Sequence, residues 1–174
     1  GVLESEEVGM MQGVLKLNRR NAREVMVPRR QTLLIDINKE KSETHEVIVH
    51  TIYSRLPVYD DDPDNIIGFL LVKDYLRAVT IAGNFNEVDI RDLVHDPLIV
   101  PETLMLDDLF EQIQMTSSHI AIVKDEYGQT SGIITLEDII EEIVGEIYDE
   151  YDNELHAEMV EEIDEWCSVC VSLY

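Results

Sequence analysis

The chain has 174 residues, enough for one good core or for two small ones that share an interface. With 37 acidic residues against 13 basic, the formal charge is −24, which excludes a general role on the phosphate backbone of DNA or RNA. Hydrophobic residues make up 45%, a globular share that excludes disorder through most of the length, and no run reaches the length of a membrane span.

Residues 1–20 carry Met10, Met11, Val14, Leu15 and Leu17 among polar residues, a pattern that predicts an amphipathic linker helix. Asn21-Ala22-Arg23-Glu24 has the form of a capping box, and the short helix it opens must stop near Met26-Val27-Pro28, because proline disfavours a helical residue before it. A strand is then expected over Leu33–Ile37, a helix around Glu43–Ile52, strands over Pro57–Tyr59 and Ile66–Leu71, and a helix over Lys73–Val79. Between the paired strands, Asp60-Asp61-Asp62-Pro63-Asp64-Asn65 reads as a solvated hairpin tip. It lacks the spacing and the bidentate Glu of a calcium loop.

After a linker at Gly83-Asn84-Phe85-Asn86, the same elements recur. Leu98-Ile99-Val100 is a strand, and Leu106, Leu109, Phe110 and Ile113 form one face of a helix. Ile120–Val123 is a buried strand, Asp125-Glu126-Tyr127-Gly128 a turn with glycine where a positive φ is wanted, and Gly132-Ile133-Ile134 a further strand. Leu136, Ile139, Ile140, Ile143, Val144 and Ile147 make a second apolar stripe at helical spacing. An acidic tail follows over 149–174. It holds Cys167 and Cys170, a pair too isolated to be assigned a metal or a disulfide framework.

The recurrence is a repeat. Ser54-Arg55-Leu56-Pro57-Val58-Tyr59 is answered by Ser118-His119-Ile120-Ala121-Ile122-Val123, and Gly68–Asp74 by Gly132–Asp138, both at an offset of 64. Two β-α-β-β-α units, over 21–82 and 88–148, predict an α/β (α+β) fold packed face to face about a pseudo-twofold axis, with a cleft between them.

A doubled β-α-β-β-α unit closed by Gly-x-x-Thr-x-x-Asp resembles a CBS-domain pair, or Bateman module. Met26-Val27-Pro28-Arg29, Tyr53–Tyr59, His119–Val123, Asp125–Gly128 and Thr135–Ile147 are similar to the part of the CorC/hemolysin C-like membrane proteins that lies on the cytoplasmic side of the membrane. Those proteins are related to the cyclin M magnesium transporters and are implicated in Mg²⁺ and Co²⁺ efflux. The resemblance implies a regulatory module that binds AMP or ATP, with Mg²⁺ assisting for ATP, and that pairs as a homodimer next to a membrane domain. After Glu154 the sequence departs from the family pattern.

Thr135-x-x-Asp138 is by its residues a helix capping box. The resemblance adds a ligand role, in which the Asp accepts from ribose hydroxyls and the helix start approaches phosphate. Tyr53, Ser54, Arg55, Leu56 and Pro57 supply an aromatic ring, apolar walls and a guanidinium able to fork onto phosphate. The expected nucleotide site joins these residues to Thr32, Leu34, Ile133, Thr135, Glu137 and Asp138. A weaker second site is expected at Asp74, His119 and Ala121, because Leu71 stands where the second repeat has Thr135 and His119 stands where the first repeat has Arg55.

No nucleophile elbow, phosphate-binding loop, dinucleotide fingerprint or H-E-x-x-H run is present, so the sequence indicates no enzyme. Two rival readings stay open: a direct Mg²⁺ sensor using the acidic faces, and a dimerisation scaffold with an empty cleft.

Overall fold

The computed structural model describes residues 17, 19–116 and 118–143. The rest of the expected linker helix, Val144 and Ile147 of the last stripe, and the tail with Cys167 and Cys170 lie outside the described residues. Among the described residues, no helix is long and apolar enough to cross a membrane.

The chain builds two four-stranded mixed sheets. After a short helix α1 (Ala22–Val25), the strands are β1 (Val27–Pro28), β2 (Ile35–Asp36), β3 (Arg55–Asp60), β4 (Asp62–Leu71), β5 (Val94–His95), β6 (Leu98–Pro101), β7 (Ile120–Lys124) and β8 (Thr130–Thr135). The remaining helices are α2 (Lys41–His50), α3 (Val72–Ala82), α4 (Leu106–Thr116) and α5 over 136–143. One sheet runs β2-β3-β4-β5 and the other β1-β8-β7-β6. In each, a parallel pair (β2 with β3, β6 with β7) is followed by an antiparallel hairpin.

The two units exchange their edges. β1 lies at the start of the first unit but pairs with β8 of the second, whereas β5 lies at the start of the second unit and pairs with β4 of the first. The cores follow the same exchange. Leu17 and Ala22 are buried among Leu106, Leu109, Ile113, Val123, Ile134 and Ile139 of the second unit. Val88 is buried with Ile35, Ile48, Leu56, Leu70 and Tyr75 of the first. Each fully buried Leu or Ile contributes about 1.5–3 kcal/mol, so the exchanged segments couple the stability of the two halves.

The repeated glycine has its physical reason in this exchange. A Cβ on Gly132 would lie 2.3 Å from the Val27 carbonyl oxygen, and one on Gly68 would lie 2.2 Å from that of His95. Only glycine lets the crossing strand approach this closely. At the expected turn, Gly128 does take a positive φ of 81°. Asp125 holds that turn by accepting from the amides of Tyr127 and Gln129, each at 2.9 Å.

Two expectations change. The run Asp60–Asn65 is a hairpin tip as expected, with Asp60, Asp61, Asp62 and Asn65 exposed, but it is not solvated throughout. β3 and β4 close around Asp61 (φ 66°), and β4 already begins at Asp62. Asp64 is turned inward, where Oδ1 accepts from the Thr130 amide at 2.7 Å and from Arg29 at 2.5 Å. The Thr130 amide, and after it the Arg29 guanidinium, hold this carboxyl below the usual aspartate range against the opposing cost of desolvation. In the last stripe Ile139 is fully buried, but Ile140 is 44% exposed, as is its first-repeat equivalent Leu76 at 42%.

Candidate functional site

The cleft between the units is built where each β-strand hands over to a helix. β8 ends at Thr135, and α5 starts with the reciprocal box that the sequence predicts. The Asp138 carboxylate accepts the Thr135 amide at 2.7 Å through Oδ2, and the Thr135 hydroxyl accepts the Asp138 amide at 3.2 Å. The box satisfies one orphan donor at the helix start and locks both side chains. Among the described residues, Asp138 Oδ1 has no hydrogen-bond partner.

Facing it from the other unit is the segment that leads into β3. Helix α2 ends at His50, two residues before the expected Ile52, and Thr51 turns extended (φ −72°, ψ 146°). The helix breaks there, just after the β-branched run Val47–Val49 that is still helical. The break leaves Ile52 91% exposed at the cleft mouth and carries Tyr53 and Ser54 across it. The Arg55 guanidinium reaches over to the Glu137 carboxylate at 3.4 Å.

A cavity of about 330 Å³ lies between these segments, within the size range of small-molecule sites. Thr32, Tyr53, Ser54, Arg55, Leu56, Pro57, Ile133, Thr135, Glu137 and Asp138 all line it. Leu34 does not, and Leu33 takes its place. The strand expected from Leu33 starts only at Ile35, so Thr32 and Leu33 form a loop at the cavity edge. Val27, Gln31 and Ile52 also line it and were not expected. The close approach of β1 to Gly132 explains Val27; nothing in the sequence marks Gln31. The cavity offers a carboxylate and a hydroxyl at a helix start, a guanidinium opposite, and an aromatic and apolar wall.

The second cleft, of about 700 Å³, shares Tyr53, Ser54, Arg55 and Glu137 with the first and adds Phe69, Leu71, Lys73, His95 and His119. Of the residues expected there, only His119 lines it. Ala121 is fully buried on β7 and stays off the lining. Asp74 is off the lining, with its Oδ2 3.2 Å from His95 Nε2. No cap forms at this helix start, because Leu71 stands at the N-cap and has no polar side chain.

The CBS domain family matches residues 89–145, the second of the two units. The CBS domain of a bacterial CNNM/CorC family Mg²⁺ transporter in complex with ATP is 34% identical, with a TM-score of 0.73, over 80% of this chain and 98% of that one. The chain belongs to the CNNM/CorC family of CBS-domain modules. The magnesium and cobalt efflux protein CorC of Pasteurella multocida is 38% identical over 145 residues, 83% of this chain and 48% of CorC. CorC of Escherichia coli is 35% identical over 153 residues, 88% of this chain and 52% of CorC. This CBS module therefore spans about half the length of the CorC relatives that it matches. A CBS-domain pair from Klebsiella pneumoniae with bound AMP is 30% identical over 72% of this chain and 98% of that one, with a TM-score of 0.66.

Proposed function

We propose that this CBS module is a non-enzymatic regulatory element that binds AMP or ATP in the smaller cleft and reports on it to a membrane domain that moves Mg²⁺ or Co²⁺. One observation carries the reading. Thr135 and Asp138 of one unit and Tyr53–Pro57 of the other line a single cavity of about 330 Å³, with Asp138 Oδ1, unpartnered among the described residues, beside a helix start. That carboxylate suits a ribose diol, the helix start and Arg55 suit phosphate, and the Tyr53 ring with Leu56, Pro57 and Ile133 suits a purine. The relatives with bound ATP and AMP support the ligand class.

A ligand held by both units has different affinity for different arrangements of them, which is the thermodynamic requirement for regulation. The module works as a homodimer on the cytoplasmic side of the membrane. Leu76 and Ile140, exposed at equivalent places on α3 and α5, support such a contact. Mg²⁺ accompanies ATP as a phosphate counter-ion. Among the described residues, no three acidic, His or Cys side chains converge as a metal site would need.

The test is a thermal-melt titration with AMP, ADP and ATP, each with and without Mg²⁺, beside Asp138→Ala. Ligand at 100 times Kd stabilises by about 2.7 kcal/mol. A shift lost in the variant is the expected result. A shift with Mg²⁺ alone, and none with any nucleotide, would overturn the reading.

A further inference from the structure

The two clefts are related by the repeat, yet their chemistry is opposite. At the offset of 64, Thr135 becomes Leu71, Glu137 becomes Lys73 and Arg55 becomes His119. The hydroxyl is lost, a carboxylate turns into an ammonium, and Asp74, the counterpart of Asp138, is drawn off to His95. The sugar-recognising acceptors are therefore gone from the larger cleft. Its lining carries the cations Arg55 and Lys73 and the imidazoles of His95 and His119 against the single carboxylate of Glu137. In a chain of formal charge −24, that is a local reversal of sign.

Two of these groups are also held in place. The His95 ring stacks on Phe69 (centroids 5.3 Å apart, 22° between planes), with Nε2 beside the Asp74 carboxylate. His119 sits in the left-handed backbone region at φ 56°, a conformation that costs energy for a residue with a Cβ and persists only where its surroundings impose it. Here the His119 carbonyl is fixed by the Leu136 amide at 3.0 Å.

We infer that the larger cleft binds a phosphate chain. Its lining of cations and imidazoles, without a diol-accepting carboxylate, fits a ligand made of oxyanion acceptors and little else. Such a chain has two sources: the phosphate tail of a nucleotide seated in the smaller cleft, or a free inorganic polyphosphate. Arg55 lines both clefts, so a single extended ligand reaches across them. The first source rests on the nucleotide reading above; the affinity of the groove itself does not.

Calorimetric titration of the full chain with inorganic tripolyphosphate, AMP and ATP separates these cases. Lys73→Met and His119→Asn probe the groove, and asparagine tolerates the left-handed backbone of His119. Arg77→Met, an exposed cation one turn along the same helix but off the lining, controls for the loss of a charge. Tripolyphosphate is expected to bind, and Lys73→Met and His119→Asn each to weaken it about tenfold, the size of one charge-assisted hydrogen bond, while Arg77→Met does not. Failure of tripolyphosphate to bind, or equal weakening by all three variants, would overturn the inference. ATP that is weakened by Lys73→Met and displaces tripolyphosphate identifies the nucleotide tail as the source. ATP that does neither identifies the free chain. AMP reports on the smaller cleft alone: its failure to bind while tripolyphosphate binds removes the nucleotide reading and leaves the groove, and the converse removes only the groove.

Discussion

Asp64 ties the hairpin of the first repeat to the sheet of the second, through a 2.7 Å hydrogen bond from the Thr130 amide. The same oxygen takes the Arg29 guanidinium, and Lys124 donates to the Asp64 carbonyl at 2.8 Å. Three separate segments therefore converge on one residue of a loop that looks, in sequence, like a string of solvated carboxylates.

The first prediction concerns pH. The Asp64 carboxyl is held below its ordinary value of 3.8 in the folded state, so its contribution is complete above that value and disappears as pH falls through the folded pKa. Hydrogen bonds to a charged group contribute about 1.5–3 kcal/mol, and the side chain is 28% exposed, which puts Asp64→Asn nearer the lower end. Urea unfolding at pH 7 should show this loss. The gap between wild type and variant should close as pH drops below 3.8. Parallel curves across the range would mean that the charge of Asp64 does not matter to folding.

The exchanged strands give a second prediction. A Cβ at position 132 or 68 would meet a carbonyl oxygen at 2.3 or 2.2 Å, and a backbone oxygen cannot swing aside as a side chain does. Gly132→Ala and Gly68→Ala should each destabilise by about 1–3 kcal/mol, the usual cost of overpacking. Gly83→Ala probes a different term, since nothing lies within 4 Å of its Cβ position and only its positive φ opposes alanine. If Gly132→Ala costs no more than Gly83→Ala, the crossing of β1 over β8 is looser than described.

Much of this arrangement is legible in the sequence, and what is not has a common cause. The stripe Leu106, Leu109, Ile113 is buried, and the Thr135-Asp138 box closes, because periodicity and capping are local. β1 and β5 are two residues each and carry no strand pattern of their own; they become strands only by pairing with the other unit's hairpin. Asp64 and Ala121 fail for the same reason. Loop composition says nothing of an amide 66 positions away, and symmetry with Pro57, buried yet on the lining of the smaller cavity, does not reveal that Ala121 stays off the lining of the larger one. Ten of the expected cleft residues line one cavity because the repeat offset itself encodes which segments face each other.

The reciprocal box at Thr135 and Asp138 separates structure from ligand binding. Loss of a helix cap costs about 1 kcal/mol. Thr135→Val and Asp138→Ala should therefore lower the stability of the ligand-free chain by similar amounts, with Thr135→Ser close to wild type. On the reading above, Asp138→Ala should in addition abolish the AMP-dependent rise in Tm. A variant that loses the cap but keeps the full AMP shift would reduce Asp138 to a structural role.

The Arg55–Glu137 pair supplies the last prediction. It spans the two units at 3.4 Å, and Glu137 is 65% exposed, so the pair contributes little to stability. Its importance lies in what it occupies: while Arg55 faces Glu137, the guanidinium shared by both clefts is turned toward a carboxylate, and any incoming phosphate meets that negative charge. A phosphate ligand must displace Glu137 from Arg55 or accept repulsion from it. Glu137→Gln should thus tighten ATP binding by a few-fold, about 0.5–1 kcal/mol, while leaving the unliganded Tm within a degree or two. Arg55→Gln should act in the opposite sense and weaken ATP about tenfold, the loss of one charge-assisted contact. In the double variant the benefit of removing Glu137 should shrink, since part of it comes from freeing Arg55. Calorimetry on the four proteins measures that coupling directly. Strict additivity would show that Glu137 acts on the ligand by charge alone and that the pair across the cleft is no gate.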